Sequence, residues 1–414
     1  MNGNAMTTQP VGEVLFLAHR MPYPPDRGDR IRSWHILHAL SERARVHVGC
    51  LIEGEADLAH EPVLARVSAS HFLAPRAKTL PIAGMMALVT GLPVSVVAFS
   101  SRKLDRWVRK LIATRPIEAI FVFSGQMAQY VPRDFRGRVV MDFVDVDSAK
   151  FAAYADGAGS LPLRWLYRRE NVLLSRYEEC VAHRADVSLF VTADERQLFL
   201  SRLSDPVGVS VEVMRNGIDA DAFSADNRLP APGLGTGGPH IVFTGQMDYA
   251  PNVEAVRFFA EEVMPMIVGR YPDARFHVVG RSPTPEVRAL EGRNGTRVTG
   301  TVPDVRPWLA GADVVVAPLR IARGVQNKVL EAMAMARAVV LTSGAATGIP
   351  AQDGVHFAVA DTAAALAART IELIADPARA SAMGGAAQSL VREQANWQCA
   401  LADLPRVMGW ADAA

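Results

Sequence analysis

Short runs of Val, Ile, Leu and Phe recur along this chain, and between them apolar residues return every three or four positions. The first pattern reads as buried strands and the second as helices laid over them. Strands are expected at 14–17, 46–51, 119–123, 139–143, 187–191 and 211–214, then in a second series at 241–244, 276–279, 314–317 and 338–341. Such alternation predicts an α/β fold of parallel sheets covered by helices. Between the two series, 226–239 is rich in Pro and Gly and poor in side chains that could pack, so it reads as a linker. Two doubly wound, Rossmann-like domains are therefore expected at 11–225 and 240–390, with a disordered lead-in at 1–10 and a terminal helix and tail at 391–414. Ligands of open α/β sheets bind at the carboxyl ends of the strands, so the expected site is a cleft that the two domains face.

The most informative local pattern is Gly324-Val325-Gln326-Asn327-Lys328-Val329-Leu330-Glu331-Ala332-Met333, which feeds the apolar run 338–341. A glycine turn opens a helix there. The first amides of a helix have no partner within it and suit a phosphate, and Lys328 adds a full positive charge. Glu331, one turn on, suits sugar or ribose hydroxyls. The same residues are also strong helix formers and would make an ordinary surface helix.

Residues 82–99 carry no charge and approach the length of a membrane span, but Gly84, Thr90, Gly91 and Pro93 interrupt them. We read a buried helix that stops at Gly91, because the residue before a proline avoids helix. The next stretch, 102–112, places Leu104, Trp107, Val108, Leu111 and Ile112 at helical spacing among basic residues. It suits either an anionic membrane surface or a core-packed helix with a solvated basic face. The stretch 164–169 has the same two readings.

Composition narrows the function. The 414 residues are enough for about two domains, and half are hydrophobic. A formal net charge of +1 argues against a nucleic-acid partner. Cys50, Cys180 and Cys399 are too few and too scattered for a disulfide framework or a zinc cluster, which fits a reducing, cytoplasmic setting. His35 and His38 lie three apart without a third ligand. The sequence holds no Gly-x-Ser-x-Gly elbow and no Walker loop.

Several motifs together carry a family resemblance from about Val14 to Trp397: Pro22-Tyr23-Pro24-Pro25-Asp26-Arg27-Gly28-Asp29-Arg30, Arg215-Asn216-Gly217-Ile218-Asp219, Phe243-Thr244-Gly245, Val278-Val279-Gly280 and Leu330-Glu331-Ala332-Met333-Ala334. The chain resembles GT-B glycosyltransferases of the family 4 retaining type. Gly245-Gln246-Met247-Asp248-Tyr249-Ala250-Pro251-Asn252, Met141-Asp142-Phe143-Val144-Asp145 and Arg323-Gly324-Val325-Gln326 look most like the sugar transferases of exopolysaccharide and PEP-CTERM systems.

The resemblance implies a hexosyltransferase that uses a nucleoside-diphosphate sugar, needs no metal, acts on a glycan or lipid-linked acceptor, and has a C-terminal helix crossing back to the first domain. The donor-side candidates are Gly245, Gln246, Asn252 and Arg281, with Arg323, Gly324, Val325, Gln326, Asn327, Lys328 and Glu331 around the helix start; Arg281, Arg323 and Lys328 are the nearest cations for the diphosphate on sequence grounds. Gly28, Asp29 and Arg30 would approach from the first domain, although Gly28 also suits a plain strand-to-helix turn. Asp142 and Asp145 would serve the acceptor. Together with Asp147 they also suit a metal, or helix capping.

Two departures stand out. Arg323 replaces the family's common second Glu, and Gln246 replaces its common Arg. They leave open a non-catalytic GT-B scaffold, and a nucleotide-sugar epimerase on the same fold is the other alternative.

Overall fold

The computed structural model describes residues 12–76, 78–157, 159–224, 234–235, 237–320 and 325–410, with the backbone alone for Asp156. The chain forms two compact units: one runs to Arg215 and resumes at Leu401, and the other is Asn216–Ala400.

The first unit is built on seven strands: β1 (Glu13–Ala18), β2 (Arg45–Ile52), β3 (Ser70–Pro75), β4 (Ile117–Phe123), β5 (Arg138–Val144), β6 (Val187–Phe190) and β7 (Val211–Val213). They lie in the order β3-β2-β1-β4-β5-β6-β7, and every pairing is parallel. The second unit has six: β8 (His240–Thr244), β9 (Arg275–Val279), β10 (Thr296–Gly300), β11 (Val314–Ala317), β12 (Val339–Leu341) and β13 (Ala358–Val359). Their order is β10-β9-β8-β11-β12-β13, again parallel throughout.

Helices cover both faces of such sheets, so central strands are apolar at every position rather than at every second one. Leu15, Phe16 and Leu17 of β1 are all fully buried, and Phe16 stacks on Phe121 of β4 with ring centroids 5.7 Å apart. Three strands were not expected from the sequence. β3, β10 and β13 are all edge strands, which bury less and so lack the uniform apolar run.

One sequence expectation changes, and one open choice is decided. The 82–99 stretch forms a helix at Leu80–Thr90, closed by Gly91 in the left-handed conformation (φ 69°), and a short helix at Val94–Ala98. The first of these is not a buried helix: only Ala83 and Ala87 are buried, and its larger side chains face outward. The 102–112 stretch takes its core-packed reading. In the helix Arg102–Thr114, Leu104, Val108 and Leu111 are buried, and Trp107 stacks on Phe72 at 5.7 Å. No described helix is long and apolar enough to cross a membrane.

The division between units falls at Arg215/Asn216, ahead of the 226–239 stretch, of which 226–233 and 236 lie outside the described residues, as does the 1–10 lead-in. Packing explains the position. A Cβ on Gly217 would stand 2.6 Å from the Trp397 backbone, the Ile218 amide donates to the Ala395 carbonyl at 2.8 Å, and Ile218 bridges to Asn396. By Gly217 the chain already belongs to the second unit. The return is made by the last residues, where Arg406 pairs with Glu212 at 2.5 Å and Arg138 donates to the Val407 carbonyl at 2.6 Å.

Candidate functional site

In the second unit the strand order reverses between β8 and β11. At such a switch point the loops leaving neighbouring strands diverge and open a crevice. Three segments meet there: the turn after β8, the turn after β9, and the helix Asn327–Ala334 that follows β11. The Gly245 amide donates to the Val279 carbonyl at 3.0 Å, and the Met247 amide to the Arg281 carbonyl at 2.9 Å. Gly280 has φ 158°, and a Cβ there would lie 1.6 Å from the Gly245 carbonyl oxygen, so only glycine lets the two turns touch.

Lys328 stands at the centre. Its Nζ donates to Asn252 Oδ1 at 2.5 Å and sits 4.3 Å from the centre of the Phe243 ring. Asn252 is 5% exposed, and its Nδ2 donates to the Gln246 carbonyl at 2.8 Å. Both ends of the amide are engaged, so Asn252 positions the ammonium against the β8 turn. A Cβ on Gly245 would lie 2.9 Å from Asn252 Nδ2 and 3.1 Å from Lys328 Nζ; the glycine keeps that corner open.

Enclosure by protein atoms disfavours charge here. Burial pushes the Lys328 ammonium down to about 7, with Glu331 pulling the other way, and burial raises the Glu331 carboxyl to about 7 against the pull of Lys328. Arg281 Nη2 donates to Gln246 Oε1 at 3.2 Å, so a guanidinium stands beside the position that carries glutamine. Val325 packs on the core, and Asn327 Oδ1 is buried with no protein partner. Arg323 and Gly324 lie outside the described residues.

Residues 238–376 match the family model described as "Glycosyl transferases group 1". This segment is a group 1 glycosyltransferase domain. Over 140 residues, 33% of this chain, the sequence is 30% identical to a phosphatidyl-myo-inositol mannosyltransferase of Mycobacterium tuberculosis. That match spans 36% of the relative's own length.

Likeness of fold extends further. A sucrose-phosphate synthase from Thermosynechococcus elongatus superimposes with a TM-score of 0.65 at 16% identity, covering 96% of this chain and 98% of that one. HepE from Anabaena, solved with UDP and glucose, gives 0.66 at 14% identity, covering 96% and 99%. The chain has the GT-B fold of these structures.

In the unit that precedes the group 1 domain, the strand order reverses between β1 and β4. The residues expected there are engaged elsewhere. Arg30 is 7% exposed and donates to Asp57 at 2.8 Å. Asp29 binds Arg20 at 2.7 Å and His19 at 3.2 Å. Burial opposes its charge, but these two partners prevail and hold its carboxyl far below the usual range. Gly28 opens the helix Gly28–Ser41, and no atom would crowd a Cβ at that position.

Asp142 is fully enclosed. It accepts from Arg32 Nε at 2.8 Å and Nη2 at 3.2 Å, and Arg32 is itself 1% exposed. This corrects the expectation that it meets an acceptor, since a carboxylate sealed against a buried guanidinium cannot reach one. Asp145 and Asp147 remain partly exposed and share Lys150, at 3.1 and 2.8 Å. Ser124, which follows β4, and Val144, the last residue of β5, hold positive φ values of 76° and 71°. Such strain in non-glycine residues gathers at ligand-facing edges.

His19 was missed by the sequence reading. It leaves β1 directly, and its ring stacks on Phe123 at 5.7 Å. Asp29 engages Nε2, while Nδ1 is buried with no protein partner. A polar residue immediately after a central strand was the available signal.

Proposed function

We propose that this chain moves a sugar from a nucleoside-diphosphate sugar to a glycan or lipid-linked acceptor, with retention, in exopolysaccharide or cell-surface polysaccharide synthesis at the inner face of the cytoplasmic membrane. The observation that carries this reading is Lys328, held by Asn252 and Phe243 at the switch point of the second sheet, one turn before Glu331. The group 1 domain match covers the same residues, and the UDP and glucose in HepE make uridine donors the first to test.

In this mechanism the bond from the sugar's anomeric carbon to the diphosphate stretches, and negative charge gathers on the leaving oxygen. Lys328 and the first amides of the Asn327–Ala334 helix are fixed donors for that charge. Arg281 adds a cation from the β9 turn through its contact with Gln246. Glu331 accepts hydrogen bonds from donor hydroxyls. The acceptor hydroxyl forms its bond on the face the diphosphate leaves, and its proton passes to a diphosphate oxygen. No metal has a part in this scheme.

The test is metal-free titration with UDP, GDP, ADP and TDP, followed by turnover with the matching donor sugar and NMR of the product's anomeric configuration. One nucleotide should bind, and the product should keep the donor's configuration. Binding of none would favour a non-catalytic scaffold, and donor conversion without acceptor would favour an epimerase.

A further inference from the structure

The Leu80–Thr90 helix is built inside out. Its contact with the body of the unit runs through Ala83 and Ala87, packed with Val97 and Ala98, while Leu80, Met85, Leu88 and Val89 are 70%, 65%, 59% and 89% exposed. An amphipathic helix of a water-soluble surface does the reverse. Beside it begins the helix Leu161–Ala182, whose Arg169 donates to the Ala87 carbonyl at 2.8 Å. Trp165 and Leu161 continue the face of Arg169 at four-residue spacing and are 59% and 77% exposed. The two helices, joined by the Arg169–Ala87 bond, thus both carry exposed large apolar side chains of the kind that marks an interaction site.

Charge selects the occupant. From Pro62 to Leu104 the chain has no Asp or Glu, and none occurs from Gly157 to Arg169. The same segments carry cations: Lys78 lies two residues before the first helix and Arg168 beside Arg169 on the second, while burial, and after it the nearby Arg102, lowers the Lys78 ammonium. An apolar face carried by segments that hold cations and no acidic residue matches a bilayer with anionic headgroups: apolar side chains enter the acyl boundary while the cations meet phosphates.

We propose that the Leu80–Thr90 helix and the start of the Leu161–Ala182 helix form a docking face for an anionic lipid surface, lying in its interface without crossing it. The inference rests on the reading of a membrane-linked acceptor for its purpose, but vesicle binding and nucleotide binding are measured separately.

The full chain is sedimented with phosphatidylcholine vesicles, with and without phosphatidylglycerol. It should pellet with the anionic vesicles and be released by high salt. Met85→Asp combined with Val89→Asp should lower the bound-to-free ratio at least tenfold while leaving the melting temperature and nucleotide titration unchanged. Arg168→Glu, which leaves the apolar face intact, should weaken binding to the anionic vesicles alone. Wild-type protein remaining in the supernatant with anionic vesicles overturns the proposal, as does unchanged pelleting of the double Asp variant. A wild-type dimer that the double variant splits, with no vesicle binding, would assign the face to a second copy instead.

Discussion

Lys328→Met keeps the length and apolar stem of the side chain and removes its charge. The lysine titrates near 7, so protonated outnumbers neutral by about ten to one at pH 6, and the ratio inverts at pH 8. If a diphosphate requires the ammonium, this residue alone weakens binding about tenfold over those two units, or ~1.4 kcal/mol. Glu331 acts in the same direction, because a carboxyl raised to about 7 gains negative charge over the same window. The terminal phosphate of the ligand titrates there too, with its second pKa about 6, and gains charge as pH rises. The comparison is therefore wild type against Lys328→Met at each pH, which cancels the ligand's own titration.

Calorimetric titration at pH 6, 7 and 8 should show the advantage of wild type shrinking about tenfold. Stability moves the opposite way. A lysine whose folded pKa lies below its unfolded value penalises folding wherever the unfolded chain would carry the proton, so wild-type stability rises with pH from about 7 toward 10.5. Lys328→Met escapes that penalty and should melt no lower than wild type at pH 7. Parallel pH curves for the two proteins, or equal affinity at pH 6, would refute the argument.

Glu331→Gln should keep or raise stability at pH 8, since an amide tolerates the enclosure that raises the carboxyl, while turnover falls by about tenfold to a hundredfold through loss of charge-assisted hydrogen bonds. Equal loss of melting temperature and turnover would contradict the assigned role. Asp142→Asn takes away the carboxylate to which buried Arg32 donates; burial raises that carboxyl, but loss of the charge partner should outweigh the relief and cost ~3–5 kcal/mol in urea unfolding. Unchanged stability with lost turnover would restore Asp142 to the acceptor site. Gly280→Ala drives a methyl into the Gly245 carbonyl oxygen and should lower stability by at least ~1–3 kcal/mol while weakening nucleotide binding; a wild-type melting curve would show that the two turns can part.

The central strands were legible because a parallel strand covered on both faces has no polar side to confuse the pattern. β3, which reads Ser-His-Phe-Leu-Ala-Pro, and β10, Thr-Arg-Val-Thr-Gly, sit at edges and share their composition with loops. Lys328, Glu331, Gly245 and Asn252 could each be named from local motifs. Of the two hydrogen bonds that make Asn252 a bracket between Gln246 and Lys328, the one to Lys328 spans 76 residues of chain and leaves no local trace. Asp142 shows the same limit from the other side. An aspartate at a strand's carboxyl end looks identical in sequence whether it faces a ligand or an arginine 110 residues away. The Leu80–Thr90 helix was misread because an uncharged run carries no sign of which face is covered.

The chain enters and leaves the second unit at neighbouring points, Ile218 beside Asn396. In topology Asn216–Ala400 is therefore an insertion into the first unit, and the order of synthesis follows from that. On a ribosome the seven-stranded sheet is fully translated by Val213, yet Arg138 and Glu212 must wait through the whole inserted unit before Val407 and Arg406 emerge. The inserted unit can close as soon as Asn396 appears, so the segment made second is the one able to finish first.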